Sequence, residues 1–516
     1  MYCEKVARSA SPQKTETSSS LVGLLALSIL SFCILGYHPD AEDGGIYAAA
    51  VQQRVHPWLF PHDHAFVAAH VGNGVFAWLV SGLAAVTHLS VPLCLAFVQF
   101  ATIAATLRAS SDVAKICFRS EPARFGAVLV VALSLSLPVA GTALYLGDPY
   151  CTARSIALPL LLFALKHLLQ RRTLASVLLL TTAFVIHPVM ALWGGFFLIS
   201  VWTLQRKRPV LLFTSFSGAA LLICLAIYLL SPVDEGPHRL LAATRSYWFL
   251  AQWQWYEVLG ALAPPALLLW TLSRHQQTHS AGIEERFLVY AHAATTALCL
   301  LIALLFARSS AEHLFIARMQ PLRALHLLYA VFLLITGGWT GDYLHEKMNS
   351  RKAERVALAV LAACIATPLY VAQLEIYPAS QHLEFPWRQR TNGWSRAFVW
   401  CREHTSQNAL FAMDAHYITV EGEDAQNFRS IALRSSLPDY SKDGGVASVS
   451  PSLAADWLVG VAAQSDLNHR SDADRLAQLA PLHVNWIVLP EDSATSFPCD
   501  YRNDVAKVCR LPGGVR

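Results

Sequence analysis

The sequence predicts an α-helical polytopic membrane protein with about eleven transmembrane helices and a C-terminal mixed α/β domain outside the cytoplasm. Hydrophobic residues make up 54% of the 516 residues and charged residues only 14%, whereas about 25% of an average soluble protein is charged. Residues 1–372 carry 44 charged side chains, and the much shorter stretch 373–516 carries 30. This second part contains no apolar run long enough to span a bilayer. The composition argues against a soluble enzyme, and a net charge of +4 argues against nucleic-acid binding.

The membrane part, 21–372, consists of hydrophobic runs of the length that spans a bilayer, roughly 17–25 residues. Eleven runs are predicted as transmembrane helices: 21–37, 90–108, 125–143, 154–169, 174–187, 189–204, 210–230, 256–273, 287–307, 322–340 and 356–372. The pair 174–187 and 189–204 is short, and His187-Pro188 between them is typical of a tight hairpin.

The distribution of Lys and Arg predicts which loops face the cytoplasm, because cytoplasmic loops are enriched in these residues. With the N-terminal tail 1–20 inside, the inner segments hold seventeen Lys and Arg residues, and the outer short loops hold five. The first outer loop, 38–89, and the domain 373–516 are then outside. The apolar segment 66–88 would reverse every later loop if it spanned, so we predict that it lies on the outer face or re-enters the membrane.

The outer domain has the pattern of a mixed α/β fold. Residues 409–413 and 486–489 are predicted as short buried strands, and 394–404, 452–464 and 472–479 as helices. The polar stretch 421–445 is predicted either to face the membrane cavity and receive an acceptor or to form a solvated loop. Cys499 and Cys509 lie ten residues apart in a predicted oxidising compartment, which makes a disulfide bond between them plausible.

The most informative stretch follows the first predicted helix, where Asp40, Glu42 and Asp43 lie within four residues. Acids packed this closely repel one another, which favours a raised pKa for one of them. A carboxylate at the edge of a low-dielectric region is a candidate general base. Gly44 and Gly45 permit close approach of the backbone to a ligand or to the next helix. The alternative is that Asp40 and Asp43 only cap a helix on a solvated loop.

This arrangement resembles the GT-C superfamily of polytopic membrane glycosyltransferases: a first helix, an acidic motif in the first outer loop, a short helix, about eleven spans and an outer C-terminal domain. The stretches HPDAEDGGIY (38–47) and GEDAQNFRSIALRSSLPDYSKDGG (422–445) are also similar to a family of bacterial membrane proteins within or near that superfamily. The resemblance implies a multi-pass protein of the bacterial inner (cytoplasmic) membrane, with its N-terminus in the cytoplasm and its C-terminal domain periplasmic or extracellular.

The resemblance also implies a function. A sugar would be transferred from a polyprenyl-phosphate-linked donor to an acceptor on the extracytoplasmic side, with an outer-loop carboxylate as general base. The acceptor, a lipid, a glycan or a protein, is not determined. Carried over to this sequence, Asp43 is the first candidate for the catalytic base, Glu42 the second and Asp40 the third.

A leaving lipid phosphate requires cations near the outer face of the membrane. The candidates for binding the donor phosphate or the substrate are Arg318, Arg323, Arg245, Arg154, Asp148 and His187. The alternatives are contact with lipid headgroups for the arginines, a Gly-Asp-Pro turn for Asp148 and a helix end for His187. The aromatic residues of loop 231–257 suit either a sugar face or an interfacial belt.

Two questions stay open at the level of the sequence. Some GT-C enzymes need a divalent cation, and Glu42 and Asp43 would be the ligands of Mg²⁺ or Mn²⁺ if one binds. The second question is whether the chain is instead a transporter or a non-catalytic assembly protein for cell-envelope glycans. A transporter should show polar or broken helices near the bilayer midplane, and here the charges gather at the outer mouth. The expected partners are the sugar donor, the acceptor and membrane lipids, with no nucleic acid.

Overall fold

The computed structural model describes residues 16–72, 74–278 and 282–512. Residues 1–15 of the predicted cytoplasmic tail therefore lie outside the described residues. The helices before the outer domain are α1 Glu16–Leu35, α2 Glu42–Val55, α3 His64–Val71, α4 Phe76–Thr87, α5 Val91–Cys117, α6 Glu121–Leu133, α7 Ala153–Leu169, α8 Thr173–Ile186, α9 Pro188–Leu204, α10 Pro209–Leu230, α11 Gly236–Ala243, α12 Trp255–Thr278, α13 Ile283–Phe306, α14 Phe315–Arg318, α15 Ala324–Lys347 and α16 Arg351–Ile376.

The predicted fold class is confirmed: the chain is mostly helical, with several apolar helices and a small C-terminal mixed sheet. In the described part of the chain, six helical stretches are long and apolar enough to cross a membrane: α5, α10, Trp255–Arg274 in α12, α13, Phe315–Lys347 and α16. Shorter apolar helices are Leu21–Leu35, α4, α8 and α9. The segment 66–88 is broken into α3 and α4, so it does not form one continuous spanning helix.

One predicted span is wrong. The run 125–143 was expected to be a single helix, but α6 ends at Leu133. The chain then folds back on itself: the Val139 amide donates to the Leu144 carbonyl at 2.8 Å, and the Leu146 amide donates to the Leu137 carbonyl at 2.9 Å. Pro138 has no amide hydrogen and disfavours a continued helix. This loop, predicted as membrane helix, forms part of a cavity wall described below.

The closest helix pair in the membrane part is α6 with α15, because glycines face one another there. A Cβ on Gly126 would lie 2.5 Å from the Gly337 carbonyl oxygen, and a Cβ on Gly337 would lie 2.6 Å from the Gly126 carbonyl oxygen. Small residues allow two helix backbones to approach within membranes. This contact fixes α15, which follows directly after the arginines near residue 320.

The C-terminal domain, which we predict to lie outside the cytoplasm and call the outer domain, is a five-stranded mixed sheet with helices packed against it. Its helices are α17 Gly393–His404, α18 Phe428–Ala432, α19 Lys442–Val449, α20 Ala454–Gln464 and α21 Asp472–Leu479. Its strands are β1 Leu410–Ala412, β2 Ser435–Ser436, β3 Trp486–Pro490, β4 Cys499–Arg502 and β5 Ala506–Arg510. The order is β2-β1-β3-β5-β4, with β1 parallel to β2 and β3, and β5 antiparallel to β3 and β4.

The two strands predicted from the sequence, β1 and β3, are neighbours in this sheet. The three predicted helices of the domain correspond to α17, α20 and α21. A disulfide bond joins Cys499 in β4 to Cys509 in β5, as predicted. Strands β2, β4 and β5 were not predicted, because their alternation is short and carries few apolar residues.

A buried arginine in α18 connects the outer domain to the first outer loop. The Arg429 guanidinium donates to both carboxylate oxygens of Asp443 at 2.8 Å and to the Ser436 carbonyl at 3.1 Å. Its Nε also contacts the carboxylate of Asp63, just before α3. All three charged side chains are buried. The stretch 421–445 is therefore not a solvated loop; its charges hold two parts of the chain together.

Removal of Arg429 should destabilise the fold strongly. The Arg429→Met variant leaves the buried carboxylates of Asp63 and Asp443 without a cation, and breaking such a pair costs about 3–5 kcal/mol. The measurement is the denaturant-induced unfolding of the purified full chain in detergent. The matched control is Arg396→Met, which removes a pair with Asp504 whose side chains are 41% and 71% exposed and should cost below about 1 kcal/mol. Equal losses in both variants would contradict this reading of Arg429.

Candidate active site at the first outer loop

Each of the three acids after α1 is close to a cation from a distant part of the chain. Asp40 pairs with Arg390 at 2.5 Å, Glu42 contacts Lys442, and Asp43 pairs with Arg154 at 2.7 Å. The mutual repulsion expected from their spacing is therefore offset by these cations, and Glu42 and Asp43 share Lys442. Asp40 is buried and forms no part of the cavities described below, so the structure separates it from the other two acids.

Arg154, at the start of α7, lies between two carboxylates. It donates through Nη1 to Asp43 at 2.7 Å, and through Nε and Nη2 to the two oxygens of Asp148 at 2.7 and 3.0 Å. This bidentate geometry fixes the guanidinium plane. Asp148 is 2% exposed and lies behind Arg154. Asp148 is therefore positioned to orient Arg154. Of the two carboxylates bound to Arg154, Asp43 is the one that reaches the cavities described below.

The pKa values of the two carboxyls differ for a physical reason. Burial raises the pKa of Asp148, and the neighbouring Arg154 offsets this only in part. Burial also acts to raise the pKa of Asp43, but the charge of Arg154, assisted by His70, outweighs it and holds this pKa below its ordinary value. Asp43 therefore does not have the raised pKa expected for one of the crowded acids, and it is ionised at neutral pH.

The backbone around Asp43 is tightly confined. A Cβ on Gly44 would lie 2.6 Å from the Tyr150 side chain, and a Cβ on Gly45 would collide with Asn427 at the start of α18. The two glycines therefore allow the backbone to approach Tyr150 and Asn427, which belong neither to a ligand nor to the next helix, the two neighbours that the sequence suggested. Glu42 adopts a φ of 49°, a left-handed conformation that costs energy in a non-glycine residue and is concentrated at functional sites.

Lys442, the first residue of α19, is a site residue that sequence reasoning did not single out. Its ammonium contacts the Glu42 carboxylate and lies 3.9 Å from Asp43 Oδ1. Its amide donates to Asp439 at 2.6 Å, which fixes the start of α19. Burial lowers the pKa of Lys442 to about 8. The one available signal was a single lysine within the acid-rich stretch 422–445, and nothing in the sequence indicates its contact with Glu42.

Two cavities meet at Asp43 and Lys442. The first, which we call the aromatic cavity, has a volume of 410 Å³ and the second, the arginine cavity, a volume of 780 Å³. The rings of the aromatic cavity are Tyr145, Tyr150, Tyr247, Trp253 and Tyr377. The basic residues of the arginine cavity are Arg245, Arg318, Arg323 and Lys442, with His70 and His187. The residues common to both walls are Asp43, Ala143, Leu144, Tyr247 and Lys442.

The three predicted arginines near α14 and α11 all reach the arginine cavity, but they differ in their partners. Arg245 donates to the carbonyls of Ser441 and Tyr440 at 2.9 and 2.8 Å, so it supports the backbone next to Lys442. Arg318 lies 3.5 Å from the carboxylate of Asp234. Arg323 forms no ion pair with any described residue, which makes it the arginine most open to an external anion.

The remaining predicted residues have mixed outcomes. His187 lies in the wall of the arginine cavity, and its ring also accepts a hydrogen bond from the Met190 amide at the start of α9. In the ring-rich loop, Tyr247 and Trp253 reach the aromatic cavity, whereas Trp255 is 76% exposed. The rings of that loop are therefore divided between a cavity wall and the surface, and both interpretations, a ligand site and an interfacial belt, stay predictions.

Glu42 and Asp43 were the predicted ligands of any divalent cation. Both face the ammonium of Lys442. Within the described ranges, no group of three or more His, Cys, Asp or Glu side chains is placed to hold a metal ion. As they stand, these two carboxylates do not form a complete metal site.

Comparisons with known proteins give a structural likeness only. No protein-family model and no curated protein matches the sequence. Among solved structures, the chain is similar to the oligosaccharyltransferase AglB from Archaeoglobus fulgidus in complex with an inhibitory peptide and a dolichol-phosphate, with 12% identity over 91% of this chain and 69% of the other and a TM-score of 0.49. The chain is also similar to a structure of an oligosaccharyltransferase from the same organism, tethered to an acceptor peptide through a disulfide bond. The identity is 13% over 92% of this chain and 69% of the other, and the TM-score is 0.47.

At these identities and TM-scores the likeness concerns general architecture and carries nothing about the substrate or chemistry of this chain.

The lowered pKa of Lys442 can be measured directly. Reductive methylation with ¹³C-formaldehyde labels the lysines, and the resonance of Lys442 is assigned by its absence in Lys442→Arg. We expect this resonance to titrate with a midpoint near pH 8, so that the ammonium is charged below pH 8 and neutral above it, whereas an exposed lysine titrates near about 10.4. A midpoint close to that of exposed lysines would contradict the burial of this ammonium.

Proposed function

We propose that this chain is a membrane glycosyltransferase that transfers a sugar from a polyprenyl-phosphate-linked donor to an acceptor hydroxyl on the extracytoplasmic side, with Asp43 as the general base. The observation that carries the proposal is the position of Asp43. It is an ionised carboxylate at the junction of a cationic cavity and a second, ring-lined cavity. A transferase for two substrates needs this arrangement, because both must reach one reactive group from different sides.

The arginine cavity has the chemistry of a site for an amphiphilic anion. Its wall holds four cationic side chains and one carboxylate, that of Asp43. Its opposite wall is apolar and includes Phe76, Phe184 and Leu192 from α4, α8 and α9, which are apolar helices. A phosphate is attracted by the cations, and an isoprenoid chain is accommodated by the apolar wall. A lipid-linked phosphosugar combines both properties in one molecule.

Within this cavity, Arg323 and Lys442 are the groups for the leaving phosphate. Arg323 is not engaged by a carboxylate of the described chain, so its charge is available to a ligand. Lys442 lies 3.9 Å from Asp43, so a phosphate held by the lysine would lie close to the base. Preorganised cations that face a developing negative charge lower the barrier for its departure.

The proposed step balances as follows. The acceptor oxygen attacks the anomeric carbon of the donor sugar and forms the new C–O bond, while the bond from that carbon to the phosphate oxygen breaks. The electron pair of the broken bond leaves with the polyprenyl phosphate. The acceptor proton passes to Asp43, which Arg154 holds in place. Because the pKa of Asp43 is low, the carboxylate first orients the hydroxyl and accepts the proton late, as the new bond forms.

The proposal is tested by turnover of a panel of polyprenyl-phosphate sugars by the purified protein. Wild type should release polyprenyl phosphate, and Asp43→Asn should lose about 10²–10⁴-fold in rate, the usual contribution of a general base. Asp40→Asn is the matched control: it makes the same chemical change three residues away, at a carboxylate outside both cavities, and should retain most of the activity. Parallel reactions with EDTA test whether a divalent cation is needed.

Two outcomes would contradict the proposal in different ways. Turnover that is unchanged in Asp43→Asn would support the transferase activity but show that Asp43 is not the base. A greater loss of turnover in Asp40→Asn than in Asp43→Asn, with thermal melting showing that both proteins are folded, would show that the proposal assigns the base to the wrong carboxylate.

A further inference from the structure

We infer that the aromatic cavity is the acceptor site and that the acceptor it binds is an uncharged saccharide. The inference rests on the proposed function for the identity of the reaction, and on the aromatic cavity alone for the class of acceptor. The cavity has a volume of 410 Å³ and has Asp43 in its wall, as the arginine cavity does. An acceptor hydroxyl bound there would reach Asp43 from a different cavity than the donor.

The charges of the two cavities favour different ligands. The charged side chains of the aromatic cavity are Glu42, Asp43, Glu257, Arg154 and Lys442. The three carboxylates of this set outnumber its two cations, and both cations contact carboxylates at the site, so the cavity has no net positive charge to attract an external anion. A second lipid phosphate, a phosphorylated glycan or an acidic peptide is therefore disfavoured here, because like charges brought together in a partly buried site repel.

The rings of the aromatic cavity suit a pyranose. The C–H bonds on one face of a sugar ring carry partial positive charge, and an aromatic face is negative, so the two surfaces attract and pack. Tyr145 is half-buried and Tyr247 likewise, which leaves part of each ring open to a ligand. The lining loop, 138–145, also supplies Ala140 and Gly141, and Gly141 packs against the ring of Trp253.

Polar groups of the cavity are free to pair with sugar hydroxyls. Gln252 has an exposed side chain. Neither its side-chain amide nor the hydroxyl of Ser246 forms a hydrogen bond with another described residue. An amide offers two donors and two acceptor sites, and a hydroxyl offers one donor and two acceptors. Glu257 accepts a hydrogen bond from the Gln254 amide at 2.7 Å through one of its oxygens. A ligand rich in hydroxyls complements such a set.

The same wall offers little to a peptide. One common way to bind a peptide in extended conformation is to pair it with the unpaired backbone groups of an exposed strand. Here the backbone of the lining loop is paired within itself, through Val139 with Leu144 and Leu146 with Leu137. The Trp253 indole N–H donates to the Tyr247 carbonyl at 3.4 Å. The available groups are side chains and rings, and their pattern favours a saccharide.

Saturation-transfer NMR on the full chain in detergent tests the inference. The probes are the methyl glycosides of glucose, galactose, mannose and N-acetylglucosamine, blocked peptides that contain Asn, Ser or Thr, and a short-chain polyprenyl phosphate. We expect wild type to bind at least one glycoside, and Tyr145→Ala and Gln252→Ala to weaken that binding by about fivefold or more, the effect of one lost contact of about 1 kcal/mol. The control Arg323→Gln should leave glycoside binding unchanged and weaken binding of polyprenyl phosphate.

The outcomes separate the inference from the proposed function. Three results would overturn the saccharide assignment: wild type binds no glycoside, both aromatic-cavity variants bind glycosides as well as wild type does, or wild type binds the blocked peptides and not the glycosides. Glycoside binding that the two alanine variants weaken as expected would support the saccharide site. If polyprenyl-phosphate binding were at the same time unchanged in Arg323→Gln, that result would count against the donor site only. The two alanine variants act on different groups, so misfolding of one, detected by its melting temperature, leaves the other as the test.

Discussion

The ion pairs of Arg429 with Asp63 and Asp443 are the contact on which the site depends. They join the first outer loop to the C-terminal domain across 366 residues of sequence. Asp443 is the neighbour of Lys442, so the same contact brings the lysine to Glu42 and Asp43. A buried ion pair seldom adds net stability, because desolvation of the charges offsets their attraction. Its value here is geometric: it defines where two separately folded regions meet.

Charge is distributed around Asp43 in a way that suits transfer between two different ligands. Asp43 is kept ionised by Arg154, and Asp148 on the far side of Arg154 prevents that guanidinium from turning into the cavity as a free cation. The unpaired charge lies instead with Arg323, on the arginine-cavity side. The base therefore lies beside one cation that already contacts carboxylates, Lys442, and lines the same cavity as Arg323, whose charge is left for a ligand.

Much of the fold follows from the sequence, and much less of the site does. Long apolar runs predict helices well, as for α10 and α13, because burial in lipid requires about twenty apolar residues. The prediction of one helix over 125–143 failed because apolar composition alone does not show that the chain leaves the helix after Leu133 and folds back on itself. The sequence located the acidic cluster but could not rank its members with a physical reason: the partners of Asp40 and Glu42 lie 350 and 400 residues away. Local spacing carries no information about such contacts.

The most direct test of the central claim is a cryo-EM structure of the full chain with polyprenyl phosphate bound. The account predicts that the phosphate lies in the arginine cavity, within hydrogen-bond distance of Arg323 and Lys442, with its isoprenoid chain along the apolar wall formed by α4, α8 and α9. Density for the phosphate outside this cavity, or at the opposite ends of the membrane helices, would contradict it.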